Sequence, residues 1–291
     1  MFYSVEDLIK QSADYDSVAE LMIAVEIEMT GRSKEEILDL MERNLKVMEQ
    51  SVEEGVAGVT SVTGLTGGDA KRMDDYLATA DFLSGDLILR AVRNAIGVNE
   101  VNAKMGLVCA TPTAGSAGVV PGVLMACREK LQLNRRQQLD FLFSAGAFGL
   151  VMANNASISG AEGGCQAEIG SASAMAAAAL VLAKGGTAEQ AGQAVAMTLK
   201  NMMGLICDPV AGLVEVPCVK RNALGSSQAF ISADMALAGI QSVIPVDEVI
   251  ATMYRVGRQM PSIFKETAEG GLAVSPTAQR LTKEISENET K

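Results

Sequence analysis

The stretch from Ser171 to Lys184 reads Ser-Ala-Ser-Ala-Met-Ala-Ala-Ala-Ala-Leu-Val-Leu-Ala-Lys. Alanine favours the helix more than any other residue and has almost no bulk. The segment is therefore expected to be a helix that its neighbours approach closely, running through the centre of the fold. Hydrophobic residues make up 48% of the chain and aromatic ones only 4%, so the core has to be filled by Ala, Val, Leu, Ile and Met. That composition suits close-packed helices. Few segments alternate in the manner of strands, and there is no internal repeat.

The first sixty residues read as three amphipathic helices, with capping patterns at Ser4/Asp7, Ser17/Glu20 and Ser33/Glu36 marking their starts. In the second, Val18, Leu21, Met22, Val25 and Met29 fall on one face at helical spacing, the pattern of a packing face. From about Gly55 onward, Gly-, Thr- and Ser-rich loops alternate with apolar segments that carry few charges. Helices are expected at about 70 to 95, 119 to 131, 136 to 154, 168 to 184, 188 to 203, 227 to 241 and 246 to 260. Thr187/Gln190 caps one of them, and Pro261 stops the last. The fold class is mainly α, a single large helical domain with Gly-rich loops around a central metal-cluster site. Helices over 1–55 are expected to pack on a core over 56–273, followed by a polar tail over 274–291. No interior linker argues for a second domain.

A formal charge of −11 repels a phosphate backbone, so nucleic acid is not expected as a partner. The start lacks a basic segment followed by an apolar stretch and a cleavage site, and the chain is expected in the cytoplasm. Between Asp140 and Glu162 no residue is charged, yet Asn154, Asn155, Ser157 and Ser159 interrupt the apolar run. A buried helix ending in a polar site fits this better than a membrane span. In a reducing compartment the five cysteines are to be weighed as ligands, nucleophiles or core residues rather than as disulfides. The chain has no histidine. Its chemistry must run on thiolate, carboxylate, Lys, hydroxyl or amide groups, or borrow a histidine from another chain.

Three cysteines stand in unusual company. Cys165 lies in Gly-Gly-Cys-Gln-Ala-Glu-Ile-Gly, while Cys207 and Cys218 bracket Cys-Asp-Pro-Val-Ala-Gly-Leu-Val-Glu-Val-Pro-Cys. Glycines let backbone approach a bulky inorganic cluster, and a Pro beside a ligand stiffens its loop. The spacing matches no general ligand rule, so a three-Cys zinc site and plain buried cysteines remain open. Cys109 and Cys127 lack such loops and are read as core. A Gly-rich segment, Thr60 to Met73, opens a helix whose N-terminal N–H groups, with Lys71 and Arg72, would suit a substrate carboxylate. Two further loops of small polar residues, Thr111 to Gly118 and Asn154 to Glu162, also lead into helices or into the Cys165 segment.

Taken together these segments resemble the α chain of the iron–sulfur L-serine dehydratases, bacterial enzymes that convert L-serine to pyruvate and ammonia. The resemblance runs from about Ser17 to Ala273. It is carried by Thr66-Gly67-Gly68-Asp69-Ala70-Lys71-Arg72, Thr111 to Gly115, Asn155 to Ala161, Gly164-Cys165-Gln166, the Cys207 to Cys218 loop, and Lys265-Glu266-Thr267 followed by Gly270 to Ala273. It implies a [4Fe-4S] cluster on Cys165, Cys207 and Cys218 whose fourth iron meets the hydroxyl and carboxylate of serine, with no pyridoxal phosphate. By position in the matching motifs, Thr63, Thr66, Gly67, Gly68, Thr113 and Asn155 are candidates for gripping substrate. Arg72 is placed near the substrate carboxylate, and Lys71 there or in a catalytic role.

Two departures matter. Single-chain relatives carry a Ser-Ser-His-Thr segment whose histidine is the favoured base, and this chain has none; a separate β chain is expected to supply it. Those relatives also place a cysteine shortly after the Gly-Gly-Leu-Ala segment, where it can cap the open iron, and here Val274 to Lys291 holds no cysteine. Rival readings are a cysteine desulfidase of related build, a non-enzymatic iron–sulfur sensor or scaffold, and a metal-free helical interaction subunit.

Overall fold

The computed structural model describes residues 1–289. In chain order the helices are α1 (Val5–Ser12), α2 (Val18–Thr30), α3 (Lys34–Ala57), α4 (Asp69–Ala78), α5 (Asp86–Ala103), α6 (Val119–Lys130) and α7 (Arg135–Asn155). They continue as the single turn α8 (Gly160–Gly163), then α9 (Ser171–Ala183), α10 (Ala188–Met202), α11 (Cys218–Leu237), α12 (Val246–Gln259) and α13 (Pro276–Glu289). Among the described residues there is no β-strand, only two isolated bridges, Thr60 with Gly67 and Cys207 with Lys265. The fold is mainly α, as expected.

The Ala-rich helix is the hub. Every residue of α9 from Ser171 to Val181 is buried, and α6, α7, α10 and α11 pack around it. Its small side chains set how near they come: a Cβ on Gly225 of α11 would stand 2.6 Å from Ser173 Oγ, and one on Gly149 of α7 would stand 2.9 Å from the Met175 methyl. Gln166–Ala183 is long and apolar enough to cross a membrane, but it is 89% buried within the protein, as a core helix is.

The first three helices start at their predicted caps, where Ser4, Ser17 and Ser33 accept from the N–H groups of Asp7, Glu20 and Glu36. Val18, Leu21, Met22 and Val25 of α2 are buried as the spacing predicts, but Met29 is exposed and Ala19 and Ile23 are buried too. The covered face is therefore wider than one stripe. These helices share one continuous core with the rest of the chain, from Phe2 to Met253. Asp247 on α12 accepts from the N–H groups of Val5 and Glu6, pinning α1.

Three expectations change. The helix predicted over 70 to 95 is two, α4 and α5, because Ala80 turns left-handed (φ 55°) and Gly85 starts the next element. The helix predicted from 227 begins at Cys218. The polar tail forms α13 as far as Glu289; Thr290 and Lys291 lie outside the described residues.

Candidate metal centre

Cys165 stands at the mouth of a single π turn, Gln166–Gly170, which runs on into α9. Cys218 is the first residue of α11. Two cysteines thus sit at the N-termini of two mutually packed helices, where aligned peptide dipoles favour negative sulfur. Cys207 comes from the connection between α10 and α11. Its N–H donates to the Phe264 carbonyl (2.8 Å), and its carbonyl accepts from Glu266 N–H (2.9 Å), so the Lys265-Glu266-Thr267 segment is laid against it. The three cysteines are 1%, 2% and 6% exposed.

The sulfurs of Cys165 and Cys207 and a carboxylate oxygen of Glu168 lie within 4.8 Å of one another. Arg221, one turn into α11, donates to Cys165 Sγ (3.4 Å) and to the Ile206 carbonyl (2.8 Å). Its other Nη pairs with Asp208 (2.8 Å), which in turn accepts from Leu272 N–H (2.7 Å). A hydrogen bond with the Cys207 thiol and the Arg221 charge hold the Cys165 thiol below the usual range. Sharing that proton, and burial, push Cys207 far up. Burial first, then the charges of Cys165 and Glu168, push Cys218 up as well. Glu168 is raised by burial and by the Glu266 charge, against the hydrogen bond donated by the Thr113 hydroxyl. So many titrating donors in a dry site is an arrangement that a cation relieves by displacing the protons.

Small residues give the donors room. A Cβ on Gly160 would stand 3.0 Å from Cys207 Sγ, 3.1 Å from Glu168 Oε2 and 3.3 Å from Glu266 Oε2. Cys218 Sγ is outside that 4.8 Å group, although the charges of Cys165 and Glu168 reach it. Buried thiols, no imidazole and small residues beside them are a donor set of the kind that could hold an iron–sulfur cluster.

Three loops are fastened to this centre. Thr63 and Thr66 donate to the two oxygens of buried Glu215 (2.8 and 3.0 Å), tying the Gly-rich loop to the segment between Cys207 and Cys218. Asn222 donates to the carbonyls of Gly115 (2.7 Å) and Cys218 (2.9 Å), drawing in the Thr113 loop. Gln166 donates to the Met253 carbonyl and accepts from Gly204 N–H, both at 2.9 Å, fixing the start of the π turn.

The remaining sequence candidates lie differently. The N–H groups of Asp69 and Ala70 at the start of α4 are not free: they donate to Glu100, at 2.8 and 3.2 Å. Gly67 and Gly68 are both left-handed in φ (145° and 72°), and Gly67 packs on the Val59 carbonyl. Lys71 pairs with Asp75 and lines a cleft of about 460 Å³ whose walls include none of the cysteines. Arg72 is 72% exposed and pairs with Asp69. Asn155 donates to the carbonyls of Tyr3 (2.6 Å) and Val151 (2.9 Å), anchoring the N-terminal segment. Cys127 is buried, while Cys109 is half-buried and donates to the Asn44 carbonyl.

Sequence reasoning gave no role to Glu168, Asp208, Glu215 or Arg221. The available signal was position: Glu168 and Arg221 each follow a candidate ligand by three residues, Asp208 is adjacent to one, and charge is scarce in this part of the chain.

Residues 15–273 match the serine dehydratase alpha chain family. The chain is 60% identical to the probable L-serine dehydratase, alpha chain, of Bacillus subtilis over 286 residues, covering 98% of this chain and 95% of that protein. It is 44% identical to the L-serine dehydratase, alpha chain, of Peptoniphilus asaccharolyticus, with 92% of each covered. Identity with the L-serine dehydratase TdcG of Escherichia coli is 36%, over 94% of this chain and 62% of that one.

Proposed function

The chain belongs to the serine dehydratase alpha chain family, and from that premise we propose that it is the cluster-bearing chain of a lyase that removes water from L-serine. Loss of the α-proton and the β-hydroxyl gives aminoacrylate, which tautomerises and hydrolyses to pyruvate and ammonia. The observation that carries the reading is the gathering of Cys165 and Cys207 with Glu168; Cys218, the first residue of α11, is the third cysteine assigned to the cluster.

A [4Fe-4S] cluster held by Cys165, Cys207 and Cys218 would supply an iron without a protein thiolate, a Lewis acid for the hydroxyl and carboxylate of serine. The chain's own residues arrange the rest. Arg221 donates to Cys165 Sγ, a contact that favours the charged sulfur, and is itself held by Asp208. Glu215 holds the Thr63 and Thr66 hydroxyls, and so sets the Gly-rich loop beside the cysteines as one wall of the substrate space. Thr113 forms another wall, with its hydroxyl on Glu168. Lys71 and Arg72 reach a substrate carboxylate only by leaving Asp75 and Asp69. With no histidine in the sequence, we assign the base to a separate β chain.

The test is metal and sulfide analysis of protein purified without oxygen, beside Cys165→Ala, followed by a pyruvate assay on L-serine with the β chain present. The parent should hold about four irons and about four sulfides and the variant far less, with pyruvate formed by the parent alone. Zinc, or no metal in either protein, sinks the reading, and sulfide released from L-cysteine in place of pyruvate from L-serine would change the substrate.

A further inference from the structure

We propose that Glu168 is the ligand that closes the open iron of the cluster when no substrate is bound, and that the substrate's hydroxyl displaces it. The inference rests on the cluster reading above and goes beyond it, because the three cysteines leave that iron without a protein ligand.

Four observations carry it. Among the described residues, the donor gathered with Cys165 and Cys207 inside 4.8 Å is the Glu168 carboxylate. Glu168 stands three residues after Cys165 within the π turn Gln166–Gly170, and such turns recur at functional sites. Glu168 is 8% exposed, and no Lys or Arg among the described residues forms an ion pair with it. Arg221 is already committed to Cys165, Ile206 and Asp208. A buried carboxylate without a cation is costly, and coordination to a metal is a common way of meeting that cost.

The two oxygens are also differentiated. Oε1 accepts the Thr113 hydroxyl, the kind of outer contact that orients a ligating carboxylate. Oε2 is turned toward the gap at Gly160, where a Cβ would stand 3.1 Å from it and 3.0 Å from Cys207 Sγ. A Cβ on Gly115 would stand 2.6 Å from Oε1. Two loops are thus pared back to glycine around one side chain. In the exchange, the iron–oxygen bond to Glu168 breaks and the carboxylate leaves with its electron pair. The substrate's oxygen supplies the pair for the new bond, and nothing is oxidised or reduced.

The test compares the full chain, loaded with iron and purified without oxygen, with Glu168→Gln and Glu168→Asp. Mössbauer spectra of the parent should show one iron with oxygen ligation that changes in Glu168→Gln, and added L-serine should bring the two proteins to the same spectrum. On exposure to air, the EPR signal of a three-iron cluster should grow about 10- to 100-fold faster in Glu168→Gln. Glu168→Asp, which keeps the charge but withdraws the oxygen, should fall between. Parent-like spectra and air sensitivity in both variants overturn the assignment. So does a Glu168→Gln protein that keeps its iron as the parent does but binds L-serine more weakly, which would give Glu168 to the substrate's ammonium instead. A parent that takes up no four-iron cluster overturns the proposed function itself, and this inference with it.

Discussion

Arg221 makes three contacts at once: a sulfur, a carbonyl and the carboxylate of Asp208. Asp208 is buried and Arg221 mostly so, with side chains 2% and 14% exposed. Removing one partner of such a pair costs about 3–5 kcal/mol, because the other charge is left uncompensated. Arg221→Met should therefore lower stability by about that much, read by chemical denaturation. It should also speed iron release to a chelator by about 10- to 100-fold, since the thiolate loses an outer hydrogen bond. The double variant Arg221→Met/Asp208→Asn separates the two effects: it should recover most of the stability while still losing iron quickly. Recovery of both would mean that Arg221 serves the fold and not the metal. The guanidinium was invisible in the sequence because its role depends on Ile206 and Asp208, brought to it by the turn between α10 and α11.

At the scale of the elements, α3 and α5 cross where Gly55 meets Gly97, and a Cβ on Gly55 would stand 2.2 Å from the Gly97 carbonyl oxygen. Gly→Ala inside a helix ordinarily gains about 1 kcal/mol of propensity. Here the contact is with backbone, and overpacking of that kind costs about 1–3 kcal/mol or more, so Gly55→Ala is expected to destabilise. Thermal denaturation checks the sign, and a raised midpoint would refute the crossing. The capping serines and Thr187 were legible because a cap is local: donor and acceptor lie three residues apart. The break between α4 and α5 was not legible because Ala80, a residue with high helix propensity, takes the left-handed turn there (φ 55°). The start of α11 at Cys218 was not legible because it depends on a distant partner: Asn222 holds the Thr113 loop against the first turn of α11. The same reasoning covers the site. The candidate cysteines stood out through flanking Gly and Pro, whereas Glu168 and Asp208 offered only their closeness to those cysteines in sequence, and the partners that fix them, Thr113 and Arg221, come from elsewhere in the chain.

For the whole molecule, the proposed lyase reading assigns the cysteines and Glu168 to the cluster, and the sequence holds no histidine to take the α-proton of serine. The isolated chain is therefore expected to load iron and sulfide yet to form almost no pyruvate from L-serine until the β chain is added. Full turnover by the chain alone would overturn the assignment of the base. The order of manufacture is also constrained. The pin between Asp208 and Leu272 joins the loop after Cys207 to a segment that leaves the ribosome well after Cys165. At roughly 5–20 residues per second, the first thiol waits roughly 5–20 s for the last piece of its enclosure. During that interval the nascent chain carries Cys165 without the segment that later packs beside Cys207, so delivery of the proposed cluster would belong after translation rather than during it.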